Sequence, residues 1–238
     1  MRITDLKKRF EGFSLSVENL NLLPGRIHGL IGPNGSGKTT AMKLMAGLLE
    51  PDGGEIDYEG LTQRDITMAL RKPYFLHDSV YRNLAYPLSL RGIKPNPELI
   101  DQYLEMAGLK DRRKQYAPSL STGEQQKLSI VRALIFSPKL ILIDEAFSNL
   151  DIESVAMFER IILDRQQDKP ATWVVISHQL SHIQRLCDHL IFMYNGMVEA
   201  EGPVEEILLR PRNLQLKRYL HHVTLINRTG DADGIFEG

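Results

Sequence analysis

The stretch GPNGSGKTT carries the clearest chemistry in the chain. Gly32, Pro33, Asn34, Gly35, Ser36, Gly37, Lys38, Thr39 and Thr40 fit G-x-x-x-x-G-K-[ST]. Glycines at 35 and 37 let the backbone curl until its N–H groups point at phosphate oxygens. Lys38 supplies positive charge to the outer phosphates, and Thr39 offers a hydroxyl to Mg²⁺. The dipole of a following helix adds roughly half a positive charge at the same point. The next requirement is an acid at the end of a buried strand. KLILIDE, residues 139–145, provides it. Asp144 is placed to hold Mg²⁺ at the strand's end, and Glu145 is a candidate general base for water. No N/T-K-x-D guanine-reading motif follows, so ATP is expected rather than GTP.

A second anion-attracting feature lies far from this loop. In SLSTGEQQKL, residues 119–128, Ser121 and Glu124 have the spacing of a capping box. The helix they open leaves N–H groups near Thr122 and Gly123 uncovered, which favours a phosphate oxygen.

The elements that position these residues alternate between short apolar runs and longer helical patterns. Residues 26–31 read as a strand and 40–48 as a helix. The nearly continuous apolar runs 139–144 and 172–177 read as strands buried on both faces. Residues 152–163 read as a helix, and 190–194 as a strand closed by the turn Asn195-Gly196. Such alternation predicts a mainly parallel α/β sheet. Phe13, Leu15 and Val17 alternate with polar residues, so a small antiparallel layer is expected beside it. Residues 79–137 break the rhythm and read as helical, with Asn96-Pro97 opening one helix and Gly108 following it. The tail after Pro211 gives weak signals and is expected to be partly mobile beyond Arg228.

Bulk composition narrows the class. The chain has 238 residues, 42% of them hydrophobic, enough to bury one large core. Its formal charge of −1 gives no footprint for nucleic acid. The basic runs Lys7-Lys8-Arg9 and Arg112-Arg113-Lys114 are expected to be solvated faces. The single cysteine, Cys187, excludes an internal disulfide and a cysteine metal cluster, and an inert thiol is expected. No apolar run approaches the roughly 18 residues of a membrane span. Residues 1–10 are charged and lack the apolar centre of a signal peptide, so a soluble intracellular chain is expected.

At Leu120-Ser-Thr-Gly-Glu124 the chain resembles the ATP-binding-cassette (ABC) ATPases, whose signature is written LSGGQ. The resemblance covers about residues 1–208, and QQKLSIVRAL continues it. It implies a RecA-like P-loop NTPase fold: a mainly parallel sheet, a flanking antiparallel β layer and an inserted α-helical subdomain. It also implies one domain over residues 1–238, with core at 1–78 and 138–208, helical subdomain at 79–137 and a tail at 209–238. In such proteins two copies pack head to tail. Ser121 and Gly123 of one copy would then act on ATP held by the other, as would Asp151 of the D-loop-like Asn149-Leu-Asp151. Phe10 resembles the aromatic that stacks on adenine, and His178 resembles the switch histidine at the γ-phosphate. NGMVEAEGP resembles the closing hairpin.

Three departures stand out. Thr122 replaces a glycine and Glu124 a glutamine of the signature. Glu124 is expected to fold back onto the Ser121 N–H rather than face phosphate. Arg71 occupies the place of a glutamine that reaches Mg²⁺ and water, and Gln63 lies too early to substitute. Arginine has no lone pair for a metal, so it either touches the γ-phosphate or swings to solvent.

The resemblance implies the ATP-hydrolysing subunit of a transporter, importer type. Its cofactors would be ATP and Mg²⁺. Its partners would be a second copy, integral membrane permease subunits and a solute-binding protein, at the cytoplasmic face of the membrane. KPYFLHDSVYRNLAYPL is similar to tungstate and molybdate oxyanion importers. Two other readings stay open. A soluble ABC ATPase acting as a mechanical switch usually carries inserted coiled coils or two cassettes. A P-loop kinase has no use for LSTGE.

Overall fold

The computed structural model describes residues 1–226, so the mobility expected beyond Arg228 falls outside the described residues. Among the described residues there are two sheets. The larger has six strands in the order β5-β6-β7-β3-β8-β9. These are β3 (Ile27–Ile31), β5 (Ile66–Ala69), β6 (Leu140–Asp144), β7 (Thr172–Ile176), β8 (His189–Tyr194) and β9 (Met197–Pro203). All neighbours run parallel except the β8–β9 hairpin, which turns at Asn195-Gly196. Every residue of β3, β6 and β7 is buried, which is why these strands read as unbroken apolar runs.

The smaller sheet is antiparallel, in the order β2-β1-β4. Its strands are β1 (Arg2–Phe10), β2 (Phe13–Asn21) and β4 (Gly53–Asp57). Leu15 and Val17 turn inward from β2, as alternation predicts. This layer closes over helix α1 (Lys38–Met45) to form one hydrophobic cluster with Leu30, Met42, Leu142 and Val174.

The opposite face of the large sheet is covered by helices α2 (Val80–Leu90), α3 (Pro97–Met106), α4 (Thr122–Leu134) and α5 (Ile152–Asp168). Asn96 caps α3 by accepting from the Glu98 N–H at 2.9 Å, and Gly108 follows its end with φ 66°. Helix α5 outruns the expected residues 152–163 because Gln166, in its last turn, is used internally. Gln166 accepts from the Trp173 indole at 2.9 Å and from the Ala171 N–H at 3.1 Å. Trp173 is thereby fully buried at the centre of the sheet with its polar atom satisfied.

Helix α1 begins two residues earlier than the expected residue 40, at Lys38. The reason is Gly37, whose φ of 100° turns the loop directly into the helix. The weak tail signal also needs correction. Residues after β9 form α7 (Val204–Leu209) and α8 (Leu214–Ile226), following the short α6 (Leu180–Leu186). Leu216 of α8 is fully buried, and Tyr219 packs on Phe192 with ring centroids 5.5 Å apart. Its apolar positions acquire meaning only against the outer face of β8.

Candidate functional site

The loop 32–37 runs from the end of β3 into α1. Gly32, with φ 148°, lies against β8 so tightly that a Cβ would stand 2.1 Å from the Met193 carbonyl oxygen. Gly35, with φ 79°, faces open space. No side chain caps α1, so its first N–H groups remain available to an anion. Lys38 Nζ donates to the Gly32 and Pro33 carbonyls at 2.8 and 2.9 Å. Burial pushes its pKa below the usual lysine range, against the pull of Glu145 and Asp144. Ser36 Oγ is buried without a hydrogen-bond partner among the described residues.

The buried end of β6 meets this loop. Thr39 Oγ1 donates to Asp144, 3.0 Å from Oδ2 and 3.2 Å from Oδ1. Burial raises the Asp144 pKa, and the Thr39 bond opposes that rise. Glu145 follows in the left-handed region, φ 50°, with its N–H on the Ile176 carbonyl at 3.2 Å. This turn at the strand's end aims its carboxylate back toward the loop. A cleft of about 350 Å³ is lined by Asn34, Gly35, Gly37, Lys38, Thr39, Thr40, Glu145 and Phe13.

The two Glu145 oxygens have different partners. His178 Nε2, just past β7, donates to Oε1 at 2.7 Å. Arg71 Nη1, just past β5, stands 3.2 Å from Oε2. The expected swing of Arg71 to solvent is met in part. Its side chain is 62% exposed, yet its guanidinium sits on Glu145.

The aromatic end is less complete in the sequence. Phe10 is exposed and stacks on Phe13 with centroids 6.3 Å apart. Phe13 also touches the phosphate loop, its ring 3.0 Å from where a Gly37 Cβ would stand. Sequence reasoning used Phe13 only as a strand residue. The signal that could have found it is its place opposite Phe10 across the Glu11-Gly12 turn.

Ser121, the cap of α4, and Gly123 are not among the residues lining the Lys38 cleft. The capping box is present in full. Glu124 Oε2 accepts from the Ser121 N–H at 2.9 Å and from its hydroxyl at 2.8 Å, and the Glu124 N–H reaches Ser121 Oγ at 3.3 Å. Arg112 donates to Glu124 Oε1 at 3.0 Å. The Ser121 backbone bond, the Ser121 hydroxyl and Arg112 together hold the Glu124 carboxyl below the usual carboxylate range. Arg112 and Arg113 are therefore not merely solvated: Arg113 pairs with Asp101 at 2.7 Å and lies over the Tyr81 ring. Gly123 approaches the Asn149 carbonyl, so the signature and the 149–151 turn are neighbours. Asp151 caps α5, accepting from the Ser154 N–H at 2.7 Å and the Ser154 hydroxyl at 2.9 Å. One helix residue links α4 back to the first site: buried Gln126 donates to the Leu70 carbonyl at 3.1 Å. Burial raises the Cys187 thiol well above its ordinary range, in keeping with an inert group.

The ABC transporter family model matches residues 15–148. The chain belongs to the ABC transporter family. It is the ATP-binding, ATP-hydrolysing subunit rather than a soluble mechanical switch or a kinase. It is 36% identical over 208 residues to the tungstate uptake system ATP-binding protein TupC of Peptoclostridium acidaminophilum, covering 84% of this chain and 97% of that one. It is 32% identical over 223 residues to the methionine import ATP-binding protein MetN 1 of Listeria monocytogenes serotype 4b (strain F2365), covering 86% of this chain and 66% of that one. A solved ATP-binding subunit of an ABC transporter superposes with a TM-score of 0.81 at 25% identity, covering 94% of this chain and 98% of that chain. The ABC subunit thus has the expected P-loop fold with its parallel and antiparallel sheets. Among its described residues no helix is long and apolar enough to cross a membrane.

Proposed function

We propose that this subunit hydrolyses Mg·ATP in a head-to-tail dimer and thereby drives uptake of an oxyanion of the tungstate class through separate membrane permease subunits. The observation that carries this reading is the division of phosphate-binding groups into two places. Lys38, Thr39, Asp144, Glu145 and His178 converge around one cleft, while Ser121 and Gly123 stand at a helix end outside it. A second molecule brings the two together.

In that dimer the backbone of residues 32–40 and Lys38 hold the phosphates, and Phe10 with Phe13 stacks on the adenine. Thr39 and Asp144 would hold Mg²⁺. The fit rests on a hydroxyl and a buried carboxylate already aimed at each other, both hard oxygen donors. When bound, the ion neutralises charge on the β- and γ-phosphates. Glu145 takes a proton from the attacking water while His178 orients its carboxylate. Water oxygen bonds to the γ-phosphorus, and the bond to the β-phosphate oxygen breaks, giving ADP and phosphate. Lys38 and the partner's Ser121 stabilise the spreading charge. The Ser121 hydroxyl donates to Glu124, so it has to rotate to reach the neighbour's phosphate.

The permease docks on a groove between β5, α2 and α4, about 360 Å³ in volume. Tyr74, Tyr86 and Leu90 line it and are exposed. The subunit therefore works at the cytoplasmic face of the membrane, with a solute-binding protein on the other side. The oxyanion assignment follows from the tungstate uptake relative, since no residue of an ATPase subunit touches cargo.

The test is complementation. Ser121→Glu and Lys38→Ala are each inactive alone. Mixed, they form hybrids in which both defects fall on one pocket and the other pocket is intact, so hydrolysis returns. Hybrids that assemble and stay inactive at every mixing ratio refute the shared pocket.

A further inference from the structure

Each oxygen of the Glu145 carboxylate has a nitrogen beside it. His178 Nε2 hydrogen-bonds Oε1 at 2.7 Å, while Arg71 Nη1 pairs with Oε2 at 3.2 Å by charge alone, since Oε2 has no hydrogen-bond partner among the described residues. The carboxylate itself is largely buried, at 12% exposure, whereas Arg71 reaches it from solvent. Each carboxylate oxygen keeps at least one lone pair, so these neighbours set the direction of the carboxylate rather than exhaust its acceptors. The His178 contact leaves one oxygen to do the chemistry. The Arg71 ion pair draws that oxygen toward the end of β5.

We propose that Arg71 is a positioning residue that holds the Glu145 carboxylate and surrenders it to the terminal phosphate of ATP. Two features of the pair make it a releasable brake. It is a single contact from a half-exposed arginine, not a bidentate one, so it is weak and screened by salt. Arg71 also sits on the side of Glu145 away from His178, and Glu145 lines the phosphate cleft. A γ-phosphate arriving there carries more charge than a carboxylate and offers three oxygens, so it competes with Glu145 for the guanidinium, and the fraction of ATP-bound chains that keeps the pair closed limits kcat. ADP lacks that group and leaves the pair closed. Strand-end geometry makes the exchange local. Arg71 follows β5, whose end is fixed by the Gln126 bond to Leu70, so the side chain moves while the backbone stays.

The inference rests on Glu145 being the base, so the two are tested side by side. ATP turnover is measured for wild type, Arg71→Lys, Arg71→Gln and Glu145→Gln, from low to high salt. At low salt Arg71→Gln is expected to raise kcat about two- to fivefold, the worth of an exposed pair, with KM changed less than about twofold. Wild-type kcat rises with salt toward the variant's value, whereas Arg71→Gln is flat, and Arg71→Lys falls between them. A second readout needs no turnover. The Arg71 Nε–H signal in ¹⁵N spectra of the wild-type protein should move on adding a non-hydrolysable ATP analogue and stay put with ADP. A drop in kcat for Arg71→Gln overturns the brake, because it makes arginine a direct partner of the transition state. An unchanged kcat and salt profile overturns it too, as does an Arg71 signal indifferent to the analogue. If Glu145→Gln turns over ATP like wild type, the general-base reading fails first. If Glu145→Gln is inactive while Arg71→Gln behaves as wild type, only the brake fails.

Discussion

His28 should make the fold acid-sensitive over a defined range. It lies on β3, directly upstream of the phosphate loop, and is 1% exposed. Its Nε2 accepts the Leu23 N–H at 3.0 Å, which leaves Nδ1 as the protonated nitrogen, donating to the Trp173 carbonyl at 3.1 Å. Only the neutral ring satisfies both bonds. Adding a proton puts two donors face to face at Leu23 and a charge in the core. Burial accordingly lowers its pKa from 6.5 to about 4, with the Trp173 bond opposing, His189 adding to the fall and Asp188 resisting it. Because the folded value lies below the unfolded one, the stability that neutral His28 provides is complete above pH 6.5. It is lost as pH falls from there toward 4. A shift of that size corresponds to about 3 kcal/mol over the whole window, of which about 2 is gone by pH 5. That is a large part of a typical folding free energy. Urea unfolding of wild type and His28→Gln from pH 7 to 4.5 isolates the effect, since groups common to both cancel. His28→Gln should be less stable at pH 7, and the gap should narrow by about 2 kcal/mol by pH 5. A gap that stays constant refutes the argument.

Further outcomes can be checked at single residues. Lys38→Ala removes the cation of the phosphate loop and should weaken ATP binding roughly 10- to 100-fold by calorimetry. Its melting curve distinguishes that loss from disruption of the Gly32 and Pro33 contacts. Arg185 clamps Glu159 with two 2.8 Å bonds, and Glu159 is buried. Arg185→Ala should cost about 1–2 kcal/mol in urea unfolding, less than a fully buried pair because Arg185 is half exposed. Arg112→Ala should free one oxygen of Glu124 beside the signature and raise the KM for ATP about two- to fivefold, more at low salt than at high.

The parts of the site that were legible in the sequence are those whose chemistry is local. The phosphate loop needs only glycines and a lysine at fixed spacing before a helix. Asp144 ends a run of five buried residues, and a run of that kind has one good place in a parallel sheet. The Ser121–Glu124 box is closed within one helical turn, so spacing alone predicts its bonds. The Arg71–Glu145 pair was not legible, because it joins the ends of two strands 74 positions apart through side chains alone. Phe13 was hidden by its regular place in β2, where the alternation explains it completely. Helix α8 was hidden because its buried face is narrow and its partner is a sheet surface formed elsewhere in the chain.

The bond from Gln126 to Leu70 has a mechanical consequence. Gln126 lies five residues past Ser121, the cap of α4, about 7–8 Å along the helix axis. The carbonyl it holds belongs to the residue just before Arg71. At 3.1 Å the bond tolerates only about half an ångström of sliding before it breaks. If a neighbour's nucleotide pulls on the tip of α4, as the proposed dimer requires, the chain must either snap this tether or tow the backbone beneath Arg71. In the dimer proposed above, occupancy of one pocket would in this way be reported, through one amide, to Glu145 beside the other.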